Sequence, residues 1–397
     1  MDGKLAVIGL GSIGSMALWQ ASHLTDSVTG FEAQSPAHGR SAVGGDTRLF
    51  RMIYRGVPDL YPILERSRDL WGELEAETGQ DILIRCGGLS IGTADGPYIR
   101  SLLETARTNR AAHEILSREE MAERYPQHNL RPDDCAVYDP NAGVLRTDRA
   151  VTAAIAAAEA NGATVHTNTP IDSITETEDG VVITSGETSW TFENVIVSSG
   201  GWSQRLMPNY LKAATQTKRV FLTWFVAHDA AQFTPEKFPT FNRMYQDRSM
   251  YGAPAVDGVT VKATLDGRGT ATPDPDGFRR ELSTAEIAET IETISEFIPG
   301  LIPTIVRSDA FPDLYTTDQN PLLGWLSKSR RIYCATGFSG GGFKNATGFG
   351  HIAAYEALRK QSFTGLEFVR PERFKTSQAN PSASSNSNLA NAHYAER

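Results

Sequence analysis

The sequence predicts an α/β fold, α+β overall, in which a parallel-stranded domain is discontinuous and a mixed or antiparallel sheet is inserted into it. Three observations carry this. The chain opens on a short apolar run, KLAVIG, that passes through spaced glycines into a helical pattern. Parallel-type material returns near the middle, ENVIVSSGGWS, and near the end, RRIYCATG. Between these returns, RVFLTWFVAH and GVTVKATL follow one another with no crossover helix between them, the pattern of antiparallel pairing.

Composition bounds the reading. A chain of 397 residues holds two domains, or one large α/β unit with an insertion. Its 40% hydrophobic and 21% charged residues are ordinary for a soluble globular protein. A formal net charge of −9 argues against nucleic acid, whose phosphates call for a basic surface. No apolar run reaches the roughly 18 residues of a membrane span. The start, MDGKLAVIGLGSIG, lacks a signal-peptide n-region and cleavage site. Cys86, Cys135 and Cys334 are far apart and form no C-x-x-C pair, which suits a reducing compartment and argues against zinc. The expectation is a cytoplasmic protein, a monomer or small homo-oligomer, with no metal, membrane or nucleic-acid partner.

The first element sets the fold. KLAVIGLGSIGSMALWQAS places Gly9-x-Gly11-x-x-Gly14 between a strand and a helix. The first two glycines allow a tight turn and close approach of backbone to a pyrophosphate. The third lets helix and strand pack, and the helix N-terminus offers amide donors through Ser12 and Ile13. SVTGFEAQ then ends a second strand on Glu32, eighteen residues beyond Gly14, where an acid accepts from the adenosine ribose. This is a Rossmann-type dinucleotide unit, and the motif alone does not separate FAD from NAD. The next segment, HGRSAVGGDTRLFRMIYRG, suits a long cofactor that continues past the pyrophosphate, with Arg40, Ser41 and Thr47 along it. A solvated basic loop is the alternative.

Residues 59–78 repeat Leu60, Ile63, Leu64, Leu70, Trp71 and Leu74 at helical spacing. DILIRCGGLSIG reads as strands around a glycine turn. VLRTDRAVTAAIAAAEANGATVHT gives a strand edge, an alanine-rich helix stopped by Asn161-Gly162, and a strand. ENVIVSSGGWS runs into Gly200 and Gly201, a second place for close cofactor approach. STAEIAETIETISEFIPG is an amphipathic helix with a serine or threonine cap. The expected division is 1–84, 146–215 and 316–374 for a discontinuous cofactor domain, 85–145 and 216–315 for a substrate domain, and a flexible tail over 375–397.

GFSGGGFK, residues 337–344, resembles a P-loop only superficially, since Phe343 precedes Lys344 and Asn345 follows it where that motif needs glycine and a hydroxyl. Gly337, Gly340, Gly341, Gly342, Phe343 and Lys344 form either a plain strand-to-helix turn or a place where a ligand meets the main chain.

Taken together, the Gly9/Gly11/Gly14…Glu32 unit, GGDTRLFR and GFSGGGFK resemble the monomeric sarcosine oxidase family of flavoenzymes. That family includes the N-methyltryptophan oxidases and bacterial fructosyl-amino-acid oxidases, and the likeness runs from about residue 4 to 374. It implies FAD, a small amino-acid-derived amine oxidised to an imine that water hydrolyses, and O2 reduced to hydrogen peroxide. It implies Lys344 as the cation that activates oxygen. Arg51 would grip the substrate carboxylate. Arg48 would shape the site near the flavin, and Tyr315 would stand beside the substrate.

Two departures matter. FPDLYTTDQNP places Asp313 where the sarcosine and N-methyltryptophan branches carry the cysteine that attaches FAD, so non-covalent FAD is expected. Asp266 stands where the sarcosine branch has a histidine, as an acceptor for a polyhydroxylated substrate, as a partner for the substrate amine, or as an ordinary loop aspartate before Gly267. Both departures favour a fructosyl amino acid over an N-methyl amino acid. The competing readings are a flavin dehydrogenase that uses a carrier, an NAD-dependent dehydrogenase, and a non-catalytic dinucleotide sensor. The sensor leaves Arg48, Arg51 and Lys344 without a purpose.

Overall fold

The run Leu5, Ala6, Val7, Ile8 is almost wholly buried, as a strand covered on both faces must be. In this computed structural model, which describes residues 1–53 and 58–377, that run forms the strand Gly3–Ile8 at the centre of an eight-stranded sheet. Val28–Phe31 pairs parallel on one side and Thr188–Val197 on the other. Thr164–His166 and Ile332–Thr336 extend the parallel part. Helices Ser12–Ser22, Tyr61–Thr78, Thr147–Ala160 and Ala346–Ala357 share one hydrophobic core on this sheet. The alanine-rich helix ends at Asn161 and the chain reverses at Gly162, whose φ is +96°. The tail expected over 375–397 lies outside the described residues from 378 onward, as do residues 54–57.

A nine-stranded, mostly antiparallel sheet forms the second layer, with Thr215–Ala227, Thr260–Leu265, Arg248–Ala253 and Thr240–Tyr245 as consecutive neighbours. Only Thr240–Tyr245 against Gly88–Thr93 is parallel in it. One face packs Phe221, Phe225, Phe241 and Met250 against Ile294 and Phe297 of the helix Thr284–Phe297. That helix starts on a capping box between Ser283 and Glu286. Period-2 alternation sends the remaining side chains to the other face. The register then places Asn242 opposite Tyr251, Tyr251 opposite Thr264, Lys262 opposite Trp224 and Lys218 opposite Asp313.

The longest strand, Leu301–Thr316, has no strand signature in the sequence because Pro303 and Pro312 interrupt it. Among the described residues it pairs only with Thr215–Ala227, and a strand with one partner tolerates residues that cannot donate. This strand delivers Phe311, Asp313 and Tyr315 to the same sheet face. Among the described residues no helix is long and apolar enough to cross a membrane, and no group of three or more His, Cys, Asp or Glu could hold a metal ion.

Candidate active site

The first cavity, about 320 Å³, lies over the end of Gly3–Ile8 and is lined by Gly9, Gly11, Ser12, Glu32, His38 and Ser41, among others. Its glycines are dictated by space. Gly9 has φ +87°, and a Cβ on Gly14 would sit 1.8 Å from the carbonyl oxygen of Gly9. Gly11 is different: a Cβ there meets only Val43, at 3.8 Å, so the room it leaves is kept for something other than protein. The helix Ser12–Ser22 has no acidic residue in its first turn to occupy its amides. Glu32 is fixed by accepting from Leu10 N at 2.9 Å and Gln34 N at 3.0 Å. A dinucleotide fits this set: open amides for phosphate, a held carboxylate for ribose hydroxyls.

A second cavity of about 220 Å³ shares Ser12, Ala42, Ser198 and Gly200 with the first, so the two form one elongated site. Its walls include Arg48, Arg51, Asn242, Tyr251, Asp266, Asp313, Tyr315 and Lys344. Ile13, Gly337, Gly340, Gly342 and Phe343 also line it. Of the remaining residues expected on the cofactor, Arg40 is exposed and lines neither cavity. Thr47 is buried, with its carbonyl accepting from Arg48 and Lys262. Gly14 and Gly341 line neither cavity.

Each charged group has a distinct seat. Arg48 spends its guanidinium on main-chain carbonyls, donating to Thr47 and Ala42 at 2.7 Å and to Gly44 at 2.8 Å. It therefore holds the 42–47 segment in shape. Arg51 follows the strand Thr47–Phe50, and the backbone just after it is anchored where Met52 N and Ile53 N donate to Asp139. Lys344 sits in a short 3-10 turn, where Trp71 donates to its carbonyl at 3.2 Å and stacks on Phe343. Burial, then the nearby Arg51 cation, pushes the Lys344 ammonium down to about 7, against the pull of Asp266 and Asp313. Asp313 accepts from Gly340 N at 3.0 Å, and burial lifts its carboxyl to about 6 despite Arg48. Asp266 is exposed at the rim, and one of its oxygens takes Gly267 N at 2.8 Å. Burial raises the Tyr251 and Tyr315 phenols, so both stay protonated hydroxyls.

Three residues were not singled out from sequence. Asn242 and Tyr251 reach the cavity only through strand register. Lys262 is 2% exposed, and its ammonium donates to Gly45 and Thr47 carbonyls at 2.6 and 2.7 Å. Burial, with Arg48 next, pushes it well below the ordinary lysine range. The available signal was a single charge in the otherwise strand-like GVTVKATL.

Comparison with known proteins places the chain in a family. The profile of a family described as FAD dependent oxidoreductase matches residues 4–356. The chain is 28% identical over 380 residues to a monomeric sarcosine oxidase from Streptomyces avermitilis, covering 94% of this chain and 98% of that one. It is 27% identical to an N-methyl-L-tryptophan oxidase from Yersinia pestis, covering 94% and 100%. Among solved structures, NikD, an unusual amino acid oxidase essential for nikkomycin biosynthesis, superposes with a TM-score of 0.81 at 18% identity, over 93% of this chain and 97% of that one.

Proposed function

Since the chain belongs to the FAD dependent oxidoreductase family, we propose that it is an oxidase of secondary amines derived from amino acids. The observation that carries this is the convergence of Arg51 and Lys344 in one cavity continuous with the dinucleotide cleft. Bound FAD supplies a two-electron acceptor for the C–N bond and returns the electrons to O2 as hydrogen peroxide, while water hydrolyses the imine to a carbonyl and an amine. Within this reading a fructosyl amino acid stands ahead of an N-methyl amino acid, because Asn242, Tyr251 and Asp266 give the cavity a polar wall.

The chain's own groups divide the work as follows. Arg51 and Lys344 form a pair of cations for the substrate carboxylate, the fork giving direction and the ammonium a point charge. This shifts the role expected of Lys344 from oxygen to substrate. The oxygen-side cation passes to Lys262, on the cavity-side face of the sheet beneath the 42–47 segment. Tyr315, with Lys218 over its ring at 4.4 Å, closes the cavity against Gly340. Arg48 keeps the wall in place.

A panel of N-methyl, N-fructosyl and cyclic amino acids, with peroxide as the readout under air, tests the reading. Substrate-dependent bleaching without peroxide would make the protein a dehydrogenase, and no spectral response to any of them would leave a binding protein.

FAD should be held by contacts alone. Asp313 cannot form a thioether, and no cysteine lines either cavity among the described residues. Acid precipitation is expected to release the flavin into the supernatant; colour that stays with the pellet refutes this.

Carboxylate binding should also move a proton. In the free protein Lys344 is a cation below about 7 and mostly neutral above it. A bound carboxylate favours the cation and raises that value. At pH 8 the binding of a carboxylate ligand should therefore take up part of a proton, seen as a buffer-dependent calorimetric heat. Lys344→Met should abolish the uptake, and an unchanged uptake in that variant assigns the proton elsewhere.

A further inference from the structure

We infer that Asn242 is a specificity-determining residue that selects substrates carrying a hydroxyl on the chain beyond the reacting nitrogen. This rests on the carboxylate-bearing substrate proposed above and adds what the far end of that substrate must present. Asn242 lies on the strand Thr240–Tyr245, whose neighbours Phe241 and Arg243 point into the opposite core, so its own side chain faces the cavity. Its cross-strand partners there are Tyr251 on one side and Ser90 on the other.

The side-chain oxygen of Asn242 is screened from solvent and has no hydrogen-bond partner among the described residues. A buried amide oxygen left without a donor is unfavourable, and native structures keep few of them. The apolar half of the sheet face, Val220, Leu222 and Phe311, shows that this wall could be built from hydrocarbon. An amide at position 242, beside a neutral phenol and with a carboxylate at the rim, therefore has a cost that only a polar ligand offsets. A hydroxyl both donates and accepts, so it pairs with the amide in either orientation of its oxygen and nitrogen. A bare N-methyl group does neither. The strongest discrimination available to a site comes from buried polar groups that the wrong ligand leaves unpaired.

The test separates this inference from the oxidase reading by using ligands that cannot be oxidised as amines. Isothermal titration of the holoenzyme compares 2-(2-hydroxyethoxy)acetate with propoxyacetate, which have the same number of heavy atoms and differ in a terminal hydroxyl against a methyl. The wild type should bind the hydroxylated ligand about tenfold or more tightly, although hydrophobic transfer alone favours the methyl. Asn242→Leu should reverse the order, and Asn242→Asp, which keeps an acceptor, should retain it. Propoxyacetate binding as tightly in the wild type overturns the inference even if the leucine variant does not fold. A preference unchanged in Asn242→Leu overturns it as well, and so does an absence of binding by both ligands. If no amine yields peroxide but the hydroxyl preference holds and reverses, the oxidase reading fails and the role of Asn242 stands.

Discussion

Arg51→Ala is expected to raise the KM of a carboxylated amine by about 30-fold to a few thousandfold, with a much smaller change for the decarboxylated amine. The range follows from the roughly 2–5 kcal/mol lost when one partner of a buried, hydrogen-bonded charge pair is removed. Nothing nearby can substitute. Arg48 has its guanidinium committed to the carbonyls of Ala42, Gly44 and Thr47, and moving it would loosen the cavity wall. Lys344 remains, but as a point charge without the fork. Arg51→Lys should thus recover only part of the loss. Asp139 accepts from the backbone of Met52 and Ile53, and the substitution leaves those bonds in place although it removes a cation near that carboxylate, so the alanine variant should keep its fold and its flavin. An unchanged KM for the acid, or an equal rise for the decarboxylated amine, removes Arg51 from this role.

The parts of the site that were legible in sequence are those fixed by short spacing. Gly9, Gly11 and Gly14 act within one turn, and each spacing has a local steric cause, such as the 1.8 Å approach that a Cβ on Gly14 would force. Glu32 follows because a strand of known length must return beside the first. The glycine-rich turn before Lys344 was visible for the same reason. The sheet face over the cavity was not legible, because which side chains share it depends on pairing among strands distant in the chain. Asn242, Tyr251 and Lys262 stand on three consecutive strands, and only the register Asn242–Tyr251–Thr264 brings them to one sheet face, of which Asn242 and Tyr251 line the cavity. Leu301–Thr316 was hidden by its prolines, which an outer strand accepts and a propensity reading rejects. The role proposed for Lys344 differs from the one the resemblance implies for a related reason. Sequence gives a lysine in a glycine-rich turn, but only the fold sets it beside Arg51.

That placement leads to the second large effect, a pair of variants that should fail in different ways. Lys344→Met keeps most of the volume and removes the cation beside Arg51. It should raise the KM of a carboxylated substrate while the reduced enzyme still consumes oxygen at close to its normal rate. Lys262→Met should do the reverse. Its ammonium is fixed by the Gly45 and Thr47 carbonyls, and burial with Arg48 holds it well below the usual lysine range. Negative charge developing on oxygen nearby is what a proton at that position offsets. A group fixed in advance needs no reorganisation to hold or take up that proton, and losing one such group costs about 10²–10³ in rate. Anaerobic bleaching by substrate should then stay within about an order of magnitude in Lys262→Met, while reoxidation under air slows by that factor. Lys262 also ties down the 45–47 backbone, so a merely structural role would lower flavin retention and slow both half-reactions together. Slowed reoxidation with an unchanged KM in Lys344→Met would return the oxygen role to Lys344 and leave Arg51 to hold the carboxylate alone.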